Sequence, residues 1–220
     1  MLQKNNLKIF SLGIFLLICF IVNAQDPNRF KDQVEELYNK EHNFNSDKKL
    51  VVFAGSSSIR MWKDIQDYFP GYNVINNGFG GSHFSDLIFY YDKLILKQKP
   101  DILFIYEGDN DIADHKKPSH ISKEAKSLIE RVKNDLPETQ IVLISPKPCI
   151  ARAGLKKDYE KLNKKLLKIS KKENTGYADV WNAMLDKNGN VFQDIFLEDK
   201  LHMNKKGYDI WGETISKYLN

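Results

Sequence analysis

Two stretches of this chain carry residue types that could do chemistry together. The apolar run Leu50-Val51-Val52-Phe53-Ala54 delivers Gly55-Ser56-Ser57-Ser58 into a polar turn, and far downstream Asp199-Lys200-Leu201-His202 precedes the Gly207-Tyr208 of a closing amphipathic segment. A serine at a strand exit, with a late histidine that follows a carboxylate by three positions, is the raw material of nucleophilic hydrolysis. The hydroxyl needs a base to take its proton, and the base needs an acceptor to fix its tautomer. A spacing of three in a turn lets Asp199 and His202 face the same way. Each residue also has a plainer role: any of the three serines can cap a turn, Asp199 can cap the final helix, and His202 can decorate the surface.

The elements that must position these groups alternate along the chain. Phe30, Val34, Leu37 and Tyr38 recur at helical spacing. Strands are expected at about Leu50–Ala54, Tyr72–Ile75, Ile102–Tyr106, Ile141–Ile144 and Tyr177–Val180. Helices are expected at about Ser85–Lys97, Ser122–Asn134, Leu155–Lys171 and Asn204–Leu219. Strands alternating with amphipathic helices argue for an α/β fold with a mainly parallel sheet. Polar turns follow the first three strands: Ser57, then Gly78 to Ser82, then Gly108 to Asp111. In open α/β sheets the carboxyl ends of the strands form the crevice where ligands bind. No repeat, linker or internal boundary interrupts residues 25–220, which read as one domain.

The first 24 residues stand apart. Lys4 and Lys8 precede an apolar run from Ile9 to Val22, and Val22-Asn23-Ala24 suits signal peptidase, so residues 1–24 read as a signal peptide cleaved after Ala24. The run is short for a membrane span and has no basic stop after it, and Ile18 is bulky for the residue before a lipidated Cys19. Export follows, to a periplasm or beyond, with no stable membrane insertion after cleavage. Only Cys149 then remains, so the fold depends on its core, which 42% hydrophobic residues can supply. Loss of Lys4 and Lys8 lowers the formal charge from +4 to +2. The Lys156-Lys157, Lys164-Lys165 and Lys171-Lys172 pairs fall on a helical pattern and read as a solvated face, not a nucleic-acid patch.

Four blocks together, Gly55-Ser56-Ser57-Ser58, Asn77-Gly78-Phe79-Gly80-Gly81, Gly108-Asp109-Asn110-Asp111 and Asp199-Lys200-Leu201-His202, resemble the ordered blocks of the SGNH (GDSL-type) hydrolases over nearly all of the mature chain. The resemblance implies a flavodoxin-like three-layer α/β/α sandwich. It implies Ser57 as nucleophile, His202 as general base and Asp199 as its orienting carboxylate. It further implies an oxyanion hole of the Ser57 N–H, the Gly81 N–H and the Asn110 side-chain amide. The family usually has Asp where Ser56 stands, so Ser56 and Ser58 are read as turn-capping hydroxyls.

Other features take plainer readings. His83 either lines the acyl pocket or is a polar loop residue. His42, His115 and His120 have no partner at metal-ligand spacing, and Asp186-Lys187-Asn188-Gly189-Asn190 reads as a turn and not a calcium loop. Trp62, Phe79, Phe84 and Trp181 either shape the cleft or fill the core. No phosphate-cradling loop, metal cluster or nucleotide fingerprint is visible, so no cofactor is expected. The segment from Leu143 to Arg152, with Ser145-Pro146-Lys147-Pro148, resembles a loop of acetylhydrolase-like members, which implies a short acyl group, acetyl above all, on a glycan or small-molecule ester. A lipid-directed hydrolase (lysophospholipase, thioesterase or platelet-activating-factor acetylhydrolase-like) is the alternative. A glycan-binding module without catalysis is a further one.

Overall fold

The structure, a computed structural model, describes residues 26–219; the expected signal segment and Cys19 lie outside them. Five strands, β1 (Leu50–Gly55), β2 (Asn73–Gly78), β3 (Ile102–Tyr106), β4 (Gln140–Ile144) and β5 (Gly176–Ala178), form one sheet in the order β2-β1-β3-β4-β5. All neighbours are parallel, with Phe53 of β1 in register with Asn76 of β2 and Phe104 of β3. This is the flavodoxin-like order, whose crevice opens where chain connections leave β1 in opposite directions.

The strands β1, β3 and β4 are apolar on both faces because both faces are covered. Val52, Ala54, Leu103, Ile105 and Leu143 face one core with α1 (Lys31–Asn39), α4 (Phe84–Phe89), α5 (Tyr91–Leu94), α7 (Pro118–Asp135) and α8 (Lys156–Lys172). Val51, Phe53, Phe104, Tyr106 and Ile144 face the other with α2 (Ser57–Arg60), α3 (Ile65–Tyr68), α9 (Val180–Ala183) and α10 (Lys205–Ser216). A further short helix, α6 (Asp109–Ala113), follows β3. Each large side chain buried this way contributes on the order of 1.5–3 kcal/mol. The lysine-rich α8 buries Tyr159, Leu162 and Leu166. Among the described residues no helix is long and apolar enough to cross a membrane.

The elements differ from the sequence reading mainly in one place. The single helix expected over Ser85–Lys97 is instead α4, α5 and a 3-10 turn, Leu96–Gln98, closed by Lys99 in the left-handed region before Pro100. The break falls at Tyr90, and both Tyr90 and Tyr91 are buried. Asn77 of β2 donates its side-chain amide to the Leu94 carbonyl at 2.6 Å, satisfying a group the interrupted helix leaves open. Tertiary packing overrides the local pattern here.

Candidate active site

The site is assembled at the carboxyl ends of β1, β2 and β3. β1 ends in Gly55 at φ +146°, where an added Cβ would lie 2.0 Å from the Tyr106 carbonyl oxygen, so only glycine lets the chain turn there. The next residue, Ser56, donates its N–H to that carbonyl (3.1 Å), and Ser57 opens α2. Of the three serines, the structure brings Ser57 to the histidine: His202 Nε2 stands 3.0 Å from Ser57 Oγ.

His202 is set by a turn that Asp199 organises. The Asp199 carboxylate accepts the backbone N–H groups of Leu201 (3.0 Å) and His202 (2.9 Å), and its other oxygen lies 2.6 Å from His202 Nδ1. Lys200 takes a left-handed φ of 56° to close this loop, and its carbonyl accepts the Ala151 N–H at 3.1 Å. Burial works to raise the Asp199 carboxyl, but the hydrogen bonds from His202, Leu201 and the His202 backbone outweigh it and hold the group at about 2. With Nδ1–H donated to Asp199, Nε2 is left to accept from the Ser57 hydroxyl. The three groups can therefore deprotonate Ser57 for attack on an electrophilic carbon.

The opposite wall carries hydrogen-bond donors. Neither the Ser57 N–H nor the Gly81 N–H has an acceptor among the described residues. Gly81 sits at φ +86°, a left-handed backbone that favours glycine, and a Cβ there would meet nothing within 4 Å. Asn110, second residue of α6, donates its amide to Ser56 Oγ (2.7 Å) and to the Ser82 carbonyl (3.0 Å). Ser56 thus departs from the expected capping role: it makes no side-chain cap bond and serves as the acceptor for Asn110 instead. Ser58 is buried, and its hydroxyl meets the Tyr106 phenol.

The sequence assigns no role to several residues around this wall. Arg152 donates to Asn110 Oδ1 (3.1 Å) and to the Asp109 carboxylate (2.7 Å). Asp109 also takes buried Lys147 Nζ (2.9 Å) and the hydroxyls of Tyr106 (2.8 Å) and Tyr159. Burial opposes its charge, yet Lys147 and Arg152 hold its carboxyl well below the ordinary range. Ser82, whose carbonyl receives Asn110, has its hydroxyl 2.6 Å from the fully buried Glu107. The useful hint in the sequence was the string of acids at 107, 109 and 111 directly after a buried strand.

His83 is not an exposed loop residue. It is buried at the start of α4, 3.1 Å from Asp114 and 4.0 Å from Asp111, and burial lowers its pKa against the opposing pull of Asp86 and Asp114. Trp62, Phe79 and Phe84 are core residues. Trp181 lines a cavity of about 250 Å³ with Ile150, Tyr159, Leu185 and Val191; Arg152 forms part of the same wall. The Asp186–Asn190 segment is a turn closed by its own side chain on the Asn188 and Asn190 N–H groups.

The fold has counterparts among solved structures. No curated protein sequence matches the chain. Among solved structures, a protein of Streptococcus pneumonia provisionally named for platelet activating factor aligns with a TM-score of 0.76 at 18% identity, over 88% of this chain and 92% of its own. A GDSL-like lipase of Bacteroides thetaiotaomicron aligns at 0.68 and 18%, over 88% and 97%. A catalytic mutant of an acetylxylan esterase of Geobacillus stearothermophilus aligns at 0.67 and 16%, over 78% and 94%. At such identities these likenesses establish the fold. The sequence profile of the GDSL-like lipase/acylhydrolases matches residues 44–210, a span that holds all four blocks, and the chain belongs to that family.

Proposed function

We propose that the mature protein is an exported serine esterase that removes short acyl groups, acetyl foremost, from glycan esters. The observation that carries this reading is the relay from Ser57 Oγ to His202 to Asp199, with steps of 3.0 and 2.6 Å. Ser57 Oγ attacks the ester carbonyl as His202 takes its proton. The oxyanion is received by the N–H groups of Ser57 and Gly81 and by Asn110, where it replaces Ser56 Oγ as acceptor of one amide hydrogen while the other stays on the Ser82 carbonyl. Collapse expels the alcohol, which leaves with the proton from His202. Water then attacks the acyl-enzyme, His202 again serving as base, and Ser57 is restored.

Three further points support the reading. The Geobacillus esterase has catalytic mutants at an Asp and a His three positions apart, the spacing of Asp199 and His202. The Leu143 to Arg152 segment, with Ser145-Pro146-Lys147-Pro148, resembles a loop of acetylhydrolase-like members, which favours a short acyl group. Export rests on Lys4, Lys8, the apolar run and Val22-Asn23-Ala24.

Hydrolysis of p-nitrophenyl esters from acetate to palmitate, by wild type and Ser57→Ala in parallel, tests the chemistry. Activity on acetate should fall steeply by octanoate and vanish in the variant, with Tm unchanged. A maximum at long chains would replace the acetyl reading with a lipid-directed one. Absence of Ser57-dependent turnover on every ester, acetylated xylan included, would overturn esterase function. Amino-terminal sequencing of exported protein should begin at Gln25.

A further inference from the structure

We propose that Arg152 is a positioning residue that holds the Asn110 carboxamide in the orientation an oxyanion requires; the claim deepens the esterase reading and rests on it for its kinetic consequence. A carboxamide on a short side chain can rotate, and only one of its two ends is a donor. Two contacts decide which end faces the Ser57 side. The Arg152 guanidinium donates to Asn110 Oδ1 at 3.1 Å, and the Ser82 carbonyl accepts from Nδ2 at 3.0 Å. An inverted carboxamide would set its NH₂ against the guanidinium and its oxygen against a carbonyl, with both contacts repulsive.

Arg152 is itself fixed. One nitrogen binds both the Asp109 carboxylate (2.7 Å) and the Asp109 carbonyl (2.9 Å), leaving the other nitrogen for Asn110. A guanidinium is a planar fork that can bridge two acceptors in this way, which a lysine ammonium on a flexible stem does not reproduce. The formal charges add to the effect. Asp109 brings one negative charge against the two positive charges of Lys147 and Arg152, so the cluster behind Asn110 is net positive and polarises the amide toward an anion.

A double-mutant cycle on p-nitrophenyl acetate hydrolysis separates positioning from general structural support. Asn110→Ala should lower kcat about 10²- to 10³-fold with KM little changed. Arg152→Ala and Arg152→Lys should each lower kcat on the order of 10-fold or more by the same route. In the Asn110→Ala background, Arg152→Ala should cost under about 2-fold, because the group it acts through is gone. Equal losses from Arg152→Ala in both backgrounds, or a Lys variant with full kcat, would overturn the proposal.

The Asn110 side-chain NH₂ resonances, assigned by their loss in Asn110→Ala, give a readout that needs no turnover. In Arg152→Lys they should shift and exchange faster with solvent, and unchanged resonances would overturn the positioning role. If wild type shows no Ser57-dependent hydrolysis, the esterase reading falls, and these resonances alone decide whether Arg152 holds Asn110.

Discussion

Two carboxylates of the site are held in opposite ways. The Asp199 side chain is 46% exposed and sits in a turn it ties together itself, whereas the Asp109 side chain is 6% exposed beneath the end of β3. Both stay ionised well into acid, but for different reasons. Asp199 is held by hydrogen bonds from His202 and its own loop; Asp109, against the full opposition of burial, is held by Lys147 and Arg152. The exposed half of the site has one task, to orient an imidazole. The buried half has two, since the network that sets Asn110 also neutralises charge inside the fold. Substitutions should therefore separate activity from stability on one side and couple them on the other.

The largest effect is expected at the imidazole. His202→Ala should lower kcat on p-nitrophenyl acetate by on the order of 10⁵-fold, and Asp199→Ala by about 10³- to 10⁴-fold, because the imidazole and the oxyanion donors remain in the second. Neither should lower the free energy of urea unfolding by more than about 1 kcal/mol. A comparable loss of stability in Asp199→Ala would erase the contrast. On the buried side, Asp109→Ala strands Lys147 and Arg152 without their shared counter-ion and should cost about 3–5 kcal/mol in urea unfolding. An Asp109→Ala variant as stable as wild type would show that water reaches the cluster and that the two halves are alike.

This division also explains what the sequence could convey. The strands and the longer helices were legible because their apolar periods are local, as in Ile102–Tyr106 and Lys156–Lys172. The blocks holding Ser57, Gly81, Asn110 and Asp199-His202 were legible through their resemblance, in order, to those of the family, and the structure brings Ser57, His202 and Asp199 together. α2 and α6 were not, since a helix of one turn shows no periodicity. Nor was the support of Asn110: Arg152 lies 42 positions from it, and Lys147 lies 38 from Asp109. Ion pairs at such separations leave no pattern in one sequence. The split of the 85–97 helix was hidden for a related reason, as Asn77 and the Tyr90-Tyr91 packing lie outside the local period.

Glu107 offers the finest test of the comparison, because it is buried like Asp109 but has no paired cation among the described residues. Its Oε1 lies 2.6 Å from Ser82 Oγ, which is also 3.0 Å from the Phe79 carbonyl, and its Oε2 has no partner among the described residues. The single Ser82 hydroxyl hydrogen cannot serve both acceptors. A protonated Glu107 resolves this by donating to Ser82 Oγ while Ser82 donates to Phe79. Burial, reinforced by Asp111, Asp86 and Asp109, likewise pushes the carboxyl well above its usual range against the pull of the Ser82 hydrogen bond. The sign of the consequence is opposite to that of Asp109. A carboxyl whose folded pKa is raised binds its proton more tightly in the native state, so stability is lost as pH rises above the unfolded value of about 4.3, at up to about 1.4 kcal/mol per pH unit until the folded group ionises. Glu107→Gln keeps a donor for Ser82 and removes that slope. In urea unfolding at pH 5, 7 and 9, the Gln variant should gain steadily on wild type. A parallel pair of curves would mean that Glu107 is already ionised in the fold and that an unrecognised cation or water balances it, which would bring the two buried carboxylates under one rule.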